Sequence, residues 1–272
     1  MRKRNASQAS AVNKAKKTVV KLIAALLVIA LAGYAIGVYL GRFLMTSDYF
    51  KIKNIVSRQA TQFDLSYLIG RNIFSLDLKK EARYLLANYP IYKRIRFVRV
   101  LPERLFVDYI QRQPVGIVKL YRYFYVDEDG VLFDIPQDMK EFPLPLITGL
   151  ETKIFGPKPG FGYNNIKELN LALGIIQGAQ RNKVLRGFQI KRIDVANITN
   201  ASIFINIPVP KINLADKNIQ PGGGILLEIK VNSDKVKEKV SIISDVLVQA
   251  EKDLANIKYI DVRFKEPVIK LK

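Results

Sequence analysis

The chain has 272 residues, with no cysteine, no histidine and a formal charge of +20. The missing cysteines exclude a disulfide framework and a thiol nucleophile, and the missing histidines remove the commonest general base and metal ligand. This composition argues against an enzyme and favours anionic partners, such as acidic proteins, anionic lipid headgroups or anionic polymers.

Residues 22–41 contain no charged side chain and are bracketed by Lys21 and Arg42. As an α-helix, this stretch would span about 30 Å, the thickness of the hydrocarbon core of a bilayer. Tyr34 and Tyr39 suit the membrane interface near its C-terminal end. A cleaved signal peptide would have a shorter apolar region, and a core helix of a soluble protein would carry a polar stripe. The sequence therefore predicts one transmembrane helix.

The tail before this helix, residues 1–21, carries seven basic side chains and no acidic one. Because basic residues are retained in the cytoplasm, the tail is predicted to be cytoplasmic and the chain beyond the helix to lie outside. The tail is polar and rich in Ala, Ser and Asn, so we expect it to be disordered and attracted to anionic lipid.

The first segment outside the membrane is predicted to combine a strand with a short helix. Residues 49–58 alternate between apolar and polar side chains, which is typical of a strand. A short helix is expected to begin at Thr61, with Asp64 completing a capping box, and to close at Gly70. Its apolar side would comprise Phe63, Leu65, Leu68 and Ile69.

A second helix and two strands follow. Asp77 is the predicted N-cap, and apolar residues recur at helical spacing until Pro90 ends the helix. Residues 91–101 and 105–110 are β-rich and are joined by a Pro-Glu-Arg turn. The order strand, helix, helix, strand, strand is that of a POTRA module.

Strands predominate after residue 115. The acidic turn at residues 127–130 joins two of them, and because it lacks the spacing of an EF-hand we interpret it as a hairpin turn and not as a metal site. Asn164 or Asn165 is expected to cap one helix and Ser233 another. Strands are expected at 115–120, 123–126, 131–133, 144–148, 187–195, 201–207, 225–231 and 259–264, with a loose Pro- and Gly-rich connection at 208–224.

Two stretches carry a resemblance to a known family. Residues 70–78 (GRNIFSLDL) and 89–116 (YPIYKRIRFVRVLPERLFVDYIQRQPVG) resemble the FtsQ/DivIB cell-division family, and the resemblance extends over roughly residues 20–265. Gln111 and Gly116 depart from the Glu and Ala usual in that family. The matching positions are Asn72, Phe74, Leu76, Asp77, Pro90, Val98, Arg99, Pro102, Leu105, Val107, Arg112, Pro114 and Val115.

The resemblance implies an α+β protein. A single N-terminal transmembrane helix would lead into a POTRA-like β-α-α-β-β module, followed by a larger β-rich domain with flanking helices. The expected boundaries are a basic tail at 1–21, the transmembrane helix at 22–41, the POTRA-like domain at 48–114 and the β domain at 115–272.

The resemblance also implies a function. Members of this family are single-pass, non-enzymatic scaffolds of the bacterial cytoplasmic membrane, with the C-terminal part periplasmic or otherwise extracytoplasmic, at the division septum. They bind FtsB and FtsL and through them act on the septal peptidoglycan synthases FtsW and FtsI. No cofactor, metal, small-molecule substrate or nucleic acid is implied.

By the same resemblance, FtsB would bind the final strand of the β domain and the residues just after it. The sequence adds a physical reason, because a strand with no neighbour on one side leaves backbone groups open to a partner strand. The lysines of this segment have a second interpretation, since they could simply protect an edge from aggregation. The candidate residues are Arg263, Phe264, Lys265, Glu266, Val268, Ile269, Lys270 and Leu271.

Three other functions are considered. A POTRA-bearing secretion or outer-membrane assembly component would usually carry repeated modules or a barrel, and neither is seen in the sequence. An extracytoplasmic glycan-cleaving enzyme needs two carboxylates that flank a cleft, and no pair stands out. Nucleic-acid binding is suggested by basic and aromatic residues at 92–99 and 119–125, but strand alternation explains these more simply.

Overall fold

A computed structural model describes residues 3–58, 62–134, 144–207, 224–251 and 253–272, with side chains from Lys21 onward. The chain forms two compact units. The first comprises Met1–Arg83 and Ile95–Asp108, and the second comprises Tyr84–Arg94 and Tyr109–Lys272. An apolar N-terminal helix precedes mixed sheets with helices, which confirms the α+β class.

The N-terminal helix α1 spans Lys3–Thr46, so the tail expected to be disordered is helical. Ala, Lys, Arg and Gln are good helix formers, and extending an existing helix needs no new nucleus. Within α1, Lys21–Thr46 is long and apolar enough to cross a membrane, with a mean hydropathy of 2.4 and none of its most apolar window buried. This segment contains the predicted transmembrane stretch.

The elements that follow α1 are shorter than predicted. β1 spans only Asn54–Ser57, because Ser47 accepts a hydrogen bond from the N–H of Tyr49 and starts a 3-10 turn at Asp48–Phe50. The expected first helix is a single 3-10 turn, Ser66–Leu68. Asp64 accepts hydrogen bonds from the N–H and hydroxyl of Ser66, and Thr61 lies outside the described residues.

The second helix and the two strands after it agree with the prediction. α2 spans Leu78–Asn88, and Asp77 caps it by accepting hydrogen bonds from the N–H groups of Lys79 and Lys80. β2 spans Tyr92–Val100 and β3 spans Arg104–Gln111. The sheet order is β1-β3-β2, with β1 parallel to β3. Leu105 and Val107 of β3 are fully buried.

The second unit contains a nine-stranded sheet. The strands are β4 (Gly116–Lys119), β5 (Tyr123–Val126), β6 (Leu132–Asp134), β7 (Leu146–Thr148), β8 (Gln189–Asp194), β9 (Ala201–Ile207), β10 (Ile225–Val231), β11 (Ile257–Asp261) and β12 (Val268–Leu271). Their order is β12-β11-β10-β9-β8-β7-β4-β5-β6.

Among the described strands of this sheet, helices connect two of the three parallel pairs, and the third parallel pair is β4–β7. α3 (Lys167–Arg181) lies between the parallel strands β7 and β8, and α4 (Val236–Gln249) lies between the parallel strands β10 and β11. Parallel neighbours need such crossovers, whereas β4–β5, β5–β6, β8–β9, β9–β10 and β11–β12 are antiparallel. Both helices share one apolar core with the sheet.

Both predicted N-caps of these helices are wrong. Ile166 occupies the cap position of α3 without a side-chain hydrogen bond, while the carbonyl of Asn164 accepts from the side chain of Asn170. Lys235, with a positive φ of 48°, precedes α4. Ser233 lies two residues before this cap position, and its N–H donates to the carbonyl of Ile198.

Candidate partner-binding edge

The predicted final strand, 259–264, is β11, and its outer side is occupied. β12 pairs with it in antiparallel register, with Tyr259 opposite Lys270 and Asp261 opposite Val268. The sequence interpretation placed the open edge one strand too early. Within the described residues β12 has no strand on its other side, so the edge of the sheet lies at residues 268–271.

The side chains of β12 are all exposed. Three of the four are apolar, namely Val268, Ile269 and Leu271. Lys265, Glu266 and Pro267 before them are also exposed, and so is the ring of Phe264. Pro267 has no N–H to donate, which an edge position tolerates. The edge therefore combines open backbone groups with uncovered apolar side chains.

Tyr259 adds to this edge and was not among the predicted site residues. Its ring centre lies 4.4 Å from the ammonium nitrogen of Lys230 and 6.0 Å from that of Lys270. Such contacts are favourable because the face of an aromatic ring is electronegative. Tyr259 could have been identified from the strand register, because it stands directly opposite Lys270. The register, however, cannot be read from the sequence before the pairing of β11 with β12 is known.

Arg263 holds the start of this segment and is not a free cation. Its guanidinium donates from Nε to Oδ1 of Asp261 at 2.9 Å and from Nη2 to Oδ2 at 2.6 Å. Nη1 donates to the side chain of Asn200 at 2.9 Å. These hydrogen bonds lower the pKa of the buried Asp261 carboxyl below its ordinary value of 3.8. Arg263 therefore positions the segment, and its guanidinium lies 5.6 Å from the ring centre of Phe264.

A buried lysine fixes the same junction from the helix side. Lys239 of α4 donates from Nζ to the carbonyl of Val262 at 2.7 Å and to that of Arg263 at 3.1 Å. Burial lowers the pKa of this ammonium group, against the opposing influence of Asp234 and Asp261. The chain is thus held on two sides where β11 ends, and the exposed residues begin immediately after that point.

The opposite edge of the sheet is β6, and a neighbouring segment covers it. The N–H of Leu132 donates to the carbonyl of Phe161 at 3.1 Å, and the N–H of Gly160 donates to the carbonyl of Leu132 at 2.7 Å. Val131 forms a bridge with Gly162. Residues 160–163 therefore satisfy backbone groups that an edge strand would otherwise leave open.

The acidic turn before β6 is structural. The carboxylate of Asp127 is buried and accepts hydrogen bonds from Nη1 of Arg112 at 2.6 Å and from the N–H groups of Asp129 and Val131. Arg112 thus finds an acidic partner in the turn, although Gln111 stands where the resembling family has Glu. Across the described residues, no group of three or more acidic side chains is placed to hold a metal ion.

Comparison with known proteins gives distant matches over most of the chain. No family model matches the sequence. The chain is 21% identical over 244 residues to the cell division protein FtsQ of Syntrophotalea carbinolica, covering 86% of this chain and 78% of that protein. It is 20% identical over 261 residues to the cell division protein FtsQ of Geotalea daltonii, covering 93% and 86%. The chain is FtsQ-like.

The polar residues that carry the FtsQ resemblance hold the fold. Asp77 caps α2, and Arg112 pairs with Asp127. Arg99 donates to the carbonyls of Ile73 and Leu76, both at 2.7 Å, which fixes the turn before α2. These three residues therefore stabilise the fold, and they do not by themselves locate a binding surface.

Proposed function

We propose that this FtsQ-like chain is a non-enzymatic scaffold of the bacterial division machinery. It spans the cytoplasmic membrane once, with its N-terminus in the cytoplasm and its folded units outside, and acts at the septum. It binds FtsB and FtsL, and through them it acts on the septal peptidoglycan synthases FtsW and FtsI.

The open edge at β12 is the observation that carries this proposal. A strand from an elongated partner can add to it through main-chain hydrogen bonds, while side chains give selectivity. Exposed Val268 and Leu271 offer apolar contacts, and Lys270 offers a cation to an acidic partner. The residues proposed to make contact are Arg263, Phe264, Lys265, Glu266, Val268, Ile269, Lys270 and Leu271.

The proposed orientation rests on charge. Residues 1–21, which precede the transmembrane helix, contain seven basic residues and no acidic residue. A periplasmic reporter such as alkaline phosphatase, fused after Lys272, should be active, whereas a cytoplasmic reporter should not. The reverse result would contradict the orientation and with it the whole proposal.

Partner capture tests the edge. The full chain in detergent should retain FtsB in complex with FtsL, and deletion of residues 268–272 should weaken capture by about a hundredfold or more, because the strand that supplies the contacts is gone. Val248→Ser, at an exposed apolar position on α4, is the control and should bind as the parent does. Equal capture by the deleted chain would place the binding site elsewhere.

The absence of catalysis is tested separately. The purified chain should neither hydrolyse nor polymerise peptidoglycan, because its sequence has no histidine or cysteine and shows no pair of carboxylates that would flank a cleft. Turnover that is abolished by a single Asp or Glu substitution would instead support a glycan-cleaving enzyme.

A further inference from the structure

The last turn of α1 is fixed to a loop of the first unit by one side chain. Asn72 donates from Nδ2 to the carbonyl of Leu44 at 2.9 Å and to that of Ser47 at 3.3 Å. The last carbonyls of a helix have no partner within the helix, so this amide satisfies a group that otherwise needs water. Its Oδ1 accepts from the N–H of Phe74 at 2.8 Å, which fixes the loop to the same side chain.

The chain that leaves α1 is tied to the same loop along its length. The N–H of Ile52 donates to the carbonyl of Arg71, and the N–H of Ile73 donates to the carbonyl of Phe50, both at 2.9 Å. The ring of Phe50 makes edge contacts with Phe43 and Phe74 at centroid distances of 6.5 Å and 5.1 Å. A flexible linker would show neither feature, so α1 and this loop form one structural piece.

This arrangement determines the depth of the loop in a membrane. The uncharged stretch ends at Gly41, and Leu44 lies three residues further along the helix, which is about 4.5 Å. That distance falls within the headgroup layer. Because Asn72 contacts the carbonyl of Leu44, the loop lies at this level, and Ile69, three residues away, is within about 11 Å of Asn72.

The exposed side chains near this level are of the kinds that membrane interfaces favour. Tyr49 and Ile69 are exposed, although the sequence predicted Ile69 to lie on the apolar side of a helix. Lys51 and Arg71 have exposed basic side chains, with Lys51 paired to Asp48 at 2.8 Å and Arg71 paired to Glu81 at 3.5 Å. Tyrosine rings and long basic side chains place apolar atoms toward lipid and polar atoms toward water.

We propose that Tyr49, Lys51, Ile69 and Arg71, here called the membrane collar, rest on the lipid headgroups. Asn72 is the positioning residue that holds the collar at the end of α1. The occupant of this surface is the bilayer itself, because the collar continues directly from the helix that crosses it. The inference rests on the proposed transmembrane role of α1 and is independent of FtsB binding.

Site-directed spin labelling tests this directly, because the chain has no cysteine and one introduced cysteine gives one labelled site. The full chain is placed in vesicles of phosphatidylethanolamine and phosphatidylglycerol, with no other protein. Labels replace Ile69, which is 53% exposed, and as a matched control Val56 of β1, which is 48% exposed. A third label replaces Ile36 inside the apolar stretch. Access to oxygen, which prefers lipid, is compared with access to an aqueous nickel reagent.

The ratio of oxygen access to nickel access for the label at 69 should lie between the ratios for the labels at 56 and 36. It should be at least threefold higher than the ratio for the label at 56. The membrane collar would be overturned if the label at 69 were as accessible to nickel as the label at 56 while the label at 36 lay in lipid. That result would leave the proposed function intact. A water-exposed label at 36 would overturn both.

Asn72→Ala tests the positioning role. In this variant the oxygen-to-nickel access ratio of the label at 69 should fall at least twofold, because the hydrogen bonds to the carbonyls of Leu44 in α1 and of Ser47 just after it are lost. Asn88→Ala is the matched control, since that amide bonds only to the carbonyl of Tyr84 in its own helix. Circular dichroism checks that both variants fold. An unchanged label depth in folded Asn72→Ala would overturn the role of Asn72, and the depth measurement on the parent chain does not depend on this variant.

Discussion

The two edges of the nine-stranded sheet differ in how their backbone groups are satisfied. At β6, residues 160–163 supply donors and acceptors to the outer side, and both Leu132 and Phe133 are buried. At β12, every side chain is exposed and no described strand lies beyond it. One sheet therefore has a covered edge and an open edge.

The two edges also differ in how they are protected from pairing with other chains. Exposed edges invite pairing with other chains, and proteins usually cover them or discourage pairing with charge or proline. The chain covers β6 with a loop that turns at Gly160, where φ is +82° and an added Cβ would lie 3.3 Å from Pro90. At β12 it uses only Pro267 and Lys270, which restrict pairing without preventing it.

The largest expected effect concerns the covered edge. Asp127→Ala should lower the free energy of unfolding by about 3–5 kcal/mol, because it leaves the mostly buried guanidinium of Arg112 without its partner. Chemical unfolding of the full chain in detergent measures this change. Hydrogen exchange should also show faster exchange at Gly160 and Tyr163, whose N–H groups bond to β6 and its turn.

Asp129→Ala is the matched control for that prediction. Asp129 pairs with Lys93 at 2.6 Å, but both side chains are well exposed. A surface pair of this kind contributes about 0–1 kcal/mol. Equal losses from the two variants would show that Asp127 does not maintain the covered edge.

A smaller effect is expected where the open edge begins. Asp261→Asn should destabilise the chain by about 2 kcal/mol at pH 7, because charge-assisted hydrogen bonds to Arg263 are lost. The pKa of Asp261 is lower in the folded chain than its ordinary 3.8, so this stabilisation is fully present above 3.8 and is lost as the pH falls through the lower folded value. Melting curves at pH 7 and below pH 3.8 should therefore show the difference from the parent shrinking in acid.

Asp245→Asn, at an exposed position of α4, should melt like the parent at both values of pH. A difference between Asp261→Asn and the parent that persists unchanged in strong acid would mean that the ionised pair is not its source.

The smallest effect separates the two edges most directly. Phe264 beside β12 and Phe161 beside β6 are 61% and 59% exposed, so neither should matter much for stability. Phe264→Ala should weaken FtsB capture by about tenfold, as expected for an aromatic residue at an interface, while Phe161→Ala should leave it unchanged. Surface-immobilised FtsB–FtsL and the full chain in detergent suffice for the measurement. Equal behaviour of the two variants would remove the functional distinction between the edges.

Local patterns predicted much of the fold. The bounds of β5, β9 and β10 match the expected ranges, because each is an apolar strand between clear turn signals. The cap at Asp77 is local as well, since the carboxylate bonds to N–H groups two and three residues away. Such features depend on neighbours in sequence.

Features set by distant contacts were not predictable in the same way. The partner of Arg112 lies fifteen residues away in a turn. The helix α4 begins after Lys235 and not after Ser233, whose N–H donates to the distant carbonyl of Ile198. β12 was not expected as a separate strand, because it is only four residues long and Pro267 and the lysines obscure its strand pattern. The open edge was therefore assigned to β11, whereas in the structure it lies at β12.

The connectivity of β12 has a consequence for the order of folding. Among the strands that the structure describes, β12 pairs with β11 alone, and β11 pairs with β10, to which α4 connects it. Contacts between distant parts of a chain form slowly, because the loop between them must close first. We expect the open edge to be among the last features to appear, so a partner strand meets it only on a molecule that has already folded.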